Sequence, residues 1–343
     1  MKKLLNTLYI MSPDRYLSLD GENIVVLEDR QQIGRVPLHN LESIITMGFA
    51  GASPALMAAC AAKGINLCFM DQHGKFLARV VGEVRGNVIL RKTQYTLSEN
   101  TEESMKIARN FIIGKVYNSR WCLERVIRDH SLRINVEQVD KVSQMLKNSL
   151  HSIYNCDNIA SLRGLEGEAA SLYFSVFDDM ILQQKESFYF KIRNKRPPLD
   201  NVNALLSFVY TLLANTCISA LELVGLDPYV GFMHSDRPGR ASLALDLMEE
   251  FRSVLADRFV ISLINKRMVN TKGFTVKENG AVIMDDDTRK SVLSAWQAKK
   301  QETIKHPFIN EKVEWGMVPY VQAMLLARYI RGDLDEYPPF MWK

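Results

Sequence analysis

Gly225-Leu-Asp-Pro-Tyr-Val-Gly-Phe-Met-His234-Ser-Asp-Arg237-Pro-Gly-Arg240-Ala-Ser-Leu-Ala-Leu-Asp246-Leu-Met-Glu249-Glu-Phe-Arg252 is the stretch around which the chain is organised. A Gly-Leu-Asp-Pro turn leads into a loop that carries His234, and a helix is expected from Ala241 or Ser242, with Ser242 as its candidate cap. Leu243, Leu245, Leu247, Met248 and Phe251 form the apolar part of that helix, and Asp246, Glu249 and Glu250 are its acids. Asp246 and Glu249 are three apart and therefore project from one side, about one turn from each other. Two carboxylates with an imidazole just ahead of them suit a hard divalent cation, Mg2+ or Mn2+, the imidazole making Mn2+ an equal or better fit. Arg237 and Arg240 beside the acids would bring phosphates to such an ion. The competing reading is a solvated acidic face with His234 as an ordinary loop residue.

A second stretch, Ser161-Leu-Arg-Gly-Leu-Glu166-Gly-Glu168-Ala-Ala-Ser-Leu-Tyr-Phe174, also has helical spacing. Glycines flank Leu165-Glu166, and because glycine inside a helix costs about 1 kcal/mol relative to alanine, close backbone packing is expected there. Glu166 then reads as a placed acid and Glu168 as one on the wrong face. Between the two stretches, Val202 to Leu221 holds no charge, yet Asn203, Ser207, Thr211, Asn215 and Ser219 recur every four residues. A polar stripe on an apolar helix predicts a buried core helix rather than a membrane span. The loop before it, Phe188-Tyr-Phe-Lys191-Ile-Arg193-Asn-Lys195-Arg196-Pro-Pro, interleaves rings with cations and predicts a DNA contact, extending to Asn203. A basic surface loop is the plainer alternative. Arg252, three residues beyond Glu249, is expected to flank the site and hold a phosphate.

Arg-Gly-Leu-Glu-Gly at 163–167, Pro-Pro-Leu-Asp-Asn-Val-Asn-Ala-Leu-Leu-Ser at 197–207 and the Gly225 to Arg252 stretch together closely resemble the universal integrase of CRISPR adaptation, the Cas-one family. The resemblance covers essentially the whole chain. It implies one metal, Mg2+ or Mn2+, held by Glu166, His234 and Glu249, with Asp246 as a neighbouring acid that binds a second metal, orients His234 or helps retain the first. It departs from the pattern at Glu249, where many relatives carry Asp, and at Asn201, where Asp-Pro is commoner than Asp-Asn. It implies further a homodimer, a small adaptation partner (the Cas-two protein), and DNA substrates comprising a spacer precursor and a CRISPR repeat.

The rest of the chain agrees with two domains. At 343 residues and 47% hydrophobic the chain is long enough for two cores. Residues 1–90 read as a small β-rich, sandwich-like domain with one helix opened by Ser53-Pro54 and closed by Gly64. Its strands are Leu8 to Met11, Tyr16 to Leu19, Ile24 to Leu27, Ile33 to Pro37, Ile65 to Met70 and Phe76 to Val84. This domain carries no obvious chemistry and is expected to pair with another copy; His39 and His73 read as turn residues. Arg85 to Ser98 reads as a linker or last strand, and residues 91–343 as a mainly helical catalytic domain, giving an α+β chain. In the helix expected from Met105 to Asp129 the polar face is basic. Five scattered cysteines without a Cys-x-x-Cys pair argue for a reducing compartment, by default the cytoplasm, and the broken apolar run at the N-terminus argues against a leader.

No nucleophile elbow, Cys-His pair or phosphate-cradling loop is present. Phosphodiester exchange by a substrate hydroxyl or by water at a metal ion meets that restriction, and with it the resemblance implies an integrase and endonuclease that inserts spacer DNA. The rivals are a non-catalytic DNA scaffold, in which the acids are ion-paired with Arg237, Arg240 and Arg252, and a repair nuclease with the same centre.

Overall fold

The computed structural model describes residues 6–71, 76–82 and 88–343; the turn expected around His73 and the end of the strand expected to reach Val84 lie outside the described residues. In chain order the first strands are β1 (Thr7–Ile10), β2 (Tyr16–Asp20), β3 (Asn23–Glu28), β4 (Gln31–Pro37) and β5 (Ser43–Met47). Helix α1 (Pro54–Lys63), β6 (Asn66–Met70) and β7 (Phe76–Arg79) follow. The helices after them are α2 (Val88–Glu99), α3 (Thr101–His130), α4 (Val136–Tyr154), α5 (Ile159–Ser175) and α6 (Asn201–Leu223). The last four are α7 (Ser242–Glu249), α8 (Arg258–Asn265), α9 (Asp286–Gln301) and α10 (Val318–Ile330). The chain is α+β, as expected. It divides into two compact units: residues 1–85 with 284–302, and residues 86–283 with 303–343.

In the first unit β2, β3 and β4 form an antiparallel sheet turned at Gly21, whose positive φ of 57° glycine adopts without strain. The second sheet runs β1-β5-β6-β7, with β5 parallel to both β1 and β6. Alternation does not reveal β5, because Ile44, Ile45, Thr46 and Met47 are all buried and read as a continuous run. Leu17, Ile24, Leu38, Ile44, Leu56 and Leu67 fill one core with side chains of both sheets and α1. Helix α1 starts and stops where its punctuation says: Ser53 Oγ accepts from Leu56 N, and Gly64 takes the left-handed conformation at φ 63°. Helix α9 belongs to this unit rather than to the helical part, and its Lys300 Nζ donates to Thr7 Oγ1 at 2.9 Å.

The second unit is helical. Residues 88–99 are helix, where a linker or strand was expected, and the boundary expected at residue 90 runs through α2. Leu90 and Gln94 are the buried side chains of α2, and Gln94 Nε2 donates to the carbonyls of Asp227 and Val230, fastening α2 to the turn before His234. Asn100 caps α3 through Glu102 N and Glu103 N, and those two acids complement the helix N-terminus. Helix α6 is capped by Asp200, which accepts from Asn203 N at 2.7 Å. It is long and apolar enough to cross a membrane by length and composition, but 67% of its apolar window is buried within the protein, as in a core helix. Burying each of its Leu, Val and Phe side chains contributes roughly 1.5–3 kcal/mol. The polar stripe is accommodated along the helix: Thr211, Asn215 and Ser219 each donate to the carbonyl four residues earlier.

Helix α7 runs into a π-helical segment, Arg252–Asp257, and then α8. A π segment locally shifts which side chains face the core, and such bulges gather at functional sites. The aromatic C-terminal tail docks on the same unit: Tyr337 and Phe340 are buried, and the Tyr337 ring lies 5.1 Å from that of Phe111 on α3.

Candidate active site

The His234 loop is shaped by a single carboxylate. Asp246, fully buried on α7, accepts backbone N–H bonds from Phe232 (2.7 Å), Met233 (3.0 Å) and His234 (3.0 Å), and its Oδ1 lies 2.6 Å from His234 Nδ1. An ionised carboxylate that already accepts three N–H groups makes Nδ1 the protonated ring nitrogen and leaves Nε2 as the ligating one. Gly231 is required here, since a Cβ at that position would lie 2.8 Å from Asp246 Oδ2 and 2.8 Å from Ser242 Cβ. Arg163 of α5 donates to Met233 O at 2.7 Å, tying the loop to the helix that carries Glu166. Ser242 does not cap α7; its hydroxyl donates to Ser235 O and braces the loop instead.

Glu166 and Glu249 meet at Lys115 of α3. The ammonium pairs with Glu166 Oε1 and stands 2.8 Å from Glu249 Oε2, while Arg252 NH2 lies 3.0 Å from Glu249 Oε1. Lys115 is not aligned to hydrogen-bond Glu249 Oε2, so that oxygen is buried without a hydrogen-bond partner. Burial would raise the Glu249 carboxyl, but the Arg252 guanidinium and the Lys115 ammonium outweigh it and hold the group at about 2. Glu168 is exposed on another side of α5, as expected. The packing argument for Gly164 and Gly167 fails: a Cβ at either position would meet open space. The placement of Glu166 comes from Lys115 instead.

Behind this cluster lies a polar layer. Tyr210 on α6 donates to Asp257 Oδ1 at 2.6 Å, and its ring has the guanidinium carbons of Arg193 and Arg252 at 5.3 and 5.1 Å. Burial raises Asp257 to about 6, with the Tyr210 hydroxyl and Arg252 countering part of the shift. Lys115, Tyr173, Tyr210, Arg252, Ser253 and Asp257 border a cavity of about 30 Å³, the size of a water site.

Not all of the expected DNA contacts face outward. Asn203 is fully buried, bonding Asp200, Ile192 O and Arg193, and Arg193 spends its guanidinium on Asn203 Oδ1 (2.7 Å) and Ser207 Oγ (3.1 Å). Both are corrected to structural residues, because the buried amide must find its partners locally. Arg252 is likewise turned inward onto Glu249. Lys191, Lys195, Arg196 and Arg237 are exposed, and Arg240 is half-buried against Ser235 and Ser242. Partial burial, then the cations Arg252, Arg193 and Arg196, depress the Lys195 ammonium, the mark of a local positive field.

Lys115 and Asp257 escaped the sequence reading. Lys115 had a signal: it lies on the stripe Phe111, Ile112, Lys115, Val116, Ser119, Cys122, where an isolated cation needs a partner inside the fold. The partner of Asp257 comes from a helix 47 residues away and has no local signal.

The donors fit a divalent cation of the Mg2+ or Mn2+ class: two carboxylates, one with a buried oxygen that only the Lys115 ammonium faces, and an imidazole with a fixed tautomer. Among the described residues no three such side chains already converge on one point, and Lys115 stands between the two glutamates.

The family model for CRISPR associated protein Cas1 matches residues 8–298. A CRISPR-associated endonuclease Cas1 of Chlorobaculum tepidum is 47% identical over 343 residues, covering 100% of both chains. Among solved structures, a casposase bound to integration product is similar with a TM-score of 0.83 at 22% identity, covering 98% of this chain and 93% of that one. A Cas6-RT-Cas1–Cas2 complex is similar with a TM-score of 0.80 at 22% identity, covering 98% of this chain and 36% of that one. At that identity the two structures establish the fold, and the relative and the family model establish more: this chain belongs to the Cas1 family.

Proposed function

We propose, on the premise of that membership, that the chain is the integrase and endonuclease of CRISPR spacer acquisition, with Glu166, His234 and Glu249 as ligands of one Mg2+ or Mn2+. The observation that carries the reading is the Asp246–His234 pair beside Glu249: a buried carboxylate that fixes an imidazole tautomer is the outer support a metal-bound histidine uses. That pair supports the orienting role among those open to Asp246. A bound divalent cation supplies polarisation of the target phosphate and offsets the charge that develops on it.

The protein's own groups do the rest. Arg252 keeps Glu249 ionised and fixed, and Tyr210 keeps Arg252 in place. Lys115, which pairs with both glutamates, would on release offer its ammonium to a phosphate oxygen. Lys191, Lys195, Arg196, Arg237 and Arg240 offer cations to the DNA backbone. Attack by a DNA 3′-hydroxyl joins strands and attack by water cleaves them, so one centre accounts for both activities. Exchange of one phosphodiester for another needs no nucleotide cofactor. Two spacer ends and one site per chain favour a homodimer, paired through the β-rich unit. The casposase with its integration product and the Cas1–Cas2 complex, both similar in fold, support DNA and the Cas2 protein as partners. A reducing compartment, the cytoplasm, suits the five free cysteines.

The test is strand transfer by the purified protein, with and without Cas2, on a duplex with free 3′-hydroxyls and a repeat-bearing plasmid in Mn2+ or Mg2+. Joined products that need the metal and vanish in Glu166→Ala and His234→Ala are expected. DNA binding with neither joining nor cutting under either metal would favour a scaffold and reject the ligand assignment. Equal activity on targets with and without the repeat would favour a repair nuclease.

A further inference from the structure

Beyond Lys115, one side of α3 continues with Tyr117, Trp121, Arg125 and Arg128, spaced four, four and three residues apart. The C-terminal tail lies against this side. Trp342 N donates to Asn118 Oδ1 at 2.9 Å, and the Trp342 ring packs edge-on against Trp315 with centroids 5.0 Å apart. That fixed indole carries two guanidiniums: Arg125 Cζ is 4.7 Å and Arg258 Cζ 5.1 Å from its centroid. Beside it Lys343 Nζ lies 4.9 Å from the Trp121 ring.

The cations of this cluster differ in how they are neutralised. Arg120 is paired with Glu124, and Arg128 with Asp129. Among the described residues no carboxylate lies within ion-pair distance of Arg125 or Arg258. Two like charges ordered on one ring are repelled by each other, and the ring quadrupole offsets only part of that cost. Burial, then the nearby Arg258 and Arg128, lower the Arg125 guanidinium from its usual range, with Asp129 countering part of the shift. Among the described residues neither guanidinium makes a side-chain hydrogen bond, so their N–H groups remain for a ligand, and the fork geometry of a guanidinium matches phosphate oxygens.

We propose that Arg125 and Arg258, stacked on Trp342 and flanked by Lys343, form a second phosphate-binding surface for the DNA on which the catalytic centre acts. The proposal rests on the DNA reading of the previous section and places a backbone contact about 15 Å along α3 from Lys115, at 1.5 Å of rise per residue. It is separate from the loop that carries Lys191, Lys195 and Arg196.

The test compares wild type, Arg125→Gln/Arg258→Gln and Arg125→Lys/Arg258→Lys in duplex-DNA binding by fluorescence anisotropy across a series of salt concentrations, after equal melting temperatures confirm folding. Each phosphate contact contributes about 0.9 to the slope of log affinity against log salt, so the double glutamine variant is expected to lose roughly 1.8 from the slope and about tenfold or more in affinity at physiological salt. The double lysine variant is expected to keep the slope, because the charges remain. An unchanged slope in the glutamine variant while wild type binds would overturn this surface and leave the proposed function intact. Absence of salt-dependent DNA binding by the wild type would overturn both.

Discussion

Replacing Lys115 with Met removes the cation that Glu166 and Glu249 share, and two opposite consequences follow for the protein with and without metal. Without metal, Glu249, only 4% exposed, keeps Arg252 at 3.0 Å as its single charged partner. Removing one member of a buried ion pair costs about 3–5 kcal/mol. The remaining guanidinium and the partial exposure of Glu166 favour the lower end, so a loss of about 3 kcal/mol is expected, or roughly 4 °C in melting temperature for a chain of this size. With metal, the balance reverses. A divalent ion held about 5 Å from a fixed ammonium would be repelled by about 7 kcal/mol at an effective dielectric constant of about 20. Lysine is long and swings away, so only part of that penalty survives; a gain of at least 1.4 kcal/mol corresponds to about tenfold tighter binding in Lys115→Met. Calorimetric titration of metal-stripped protein with Mn2+, together with melting curves at zero and saturating Mn2+, reads both quantities. The expected pattern is a variant that melts low, binds Mn2+ more tightly than wild type and recovers most of its melting temperature when loaded. Unchanged or weaker Mn2+ affinity in the variant would refute the reasoning, because it would mean that Lys115 and the metal do not compete for the same carboxylates.

Three further outcomes follow from the same geometry. Asp246→Asn puts an amide where three backbone N–H groups and His234 Nδ1 converge, and a 10–100-fold loss of Mn2+ affinity and of strand transfer is expected. Gly231→Ala forces a Cβ to within 2.8 Å of Asp246 Oδ2, and should cost about 1–3 kcal/mol in denaturant unfolding and weaken metal binding together. His306, buried beside Phe340, is pushed by burial from 6.5 down to about 4. At this group the folded protein binds fewer protons than the unfolded chain between those values, so the His306 contribution present above about pH 6.5 is lost as pH falls towards 4, by about 3 kcal/mol, while the raised carboxyls of Asp257 and Glu250 act in the opposite sense. His306→Gln is expected to flatten that acid limb, as measured by urea midpoints across the range.

How much of this was legible depends on how local each determinant is. The turn and cap signals around Ser53, Gly64 and Asp20-Gly21 are confined to a few residues, and the structure places them where the sequence does. The helix of Val202 to Leu221 was legible because its apolar length and polar stripe lie in one segment. Strand β5 was not, since a strand buried on both faces loses its alternation, and α2 was not, since Leu90 and Gln94 are its only buried anchors and the residues they fasten lie more than 130 positions away. At the candidate site, residue type and spacing suggested His234, Asp246 and Glu249, while Glu166 entered through its flanking glycines and the family resemblance. Direction was the missing information: Asn203 and Arg193 look like DNA contacts until α6 buries one and the other closes over it. Lys115 looks like surface until α5 and α7 bring two carboxylates to it.

Glu249 and Glu250 show why residue type could not settle the site. They are chemically identical neighbours, and one helical step of about 100° sends them to opposite environments. Glu249 faces two cations and is held ionised at about 2, whereas Glu250 is buried among neutral donors and is pushed up to about 8. The donors on Glu250 are Gln322 Nε2 at 3.0 Å, Tyr337 OH at 2.9 Å and Phe340 N at 3.3 Å. Asn118 of α3 completes the junction by donating to both Glu250 O and Phe340 O, and Gly114 leaves room for the Glu250 side chain, whose Cγ a Cβ there would approach to 3.1 Å. The turn that presents Glu249 to Lys115 and Arg252 is therefore held from behind by the C-terminal tail, through contacts made to Glu250. Tyr337 and Phe340 of the aromatic tail thus position a candidate ligand by fixing the residue next to it.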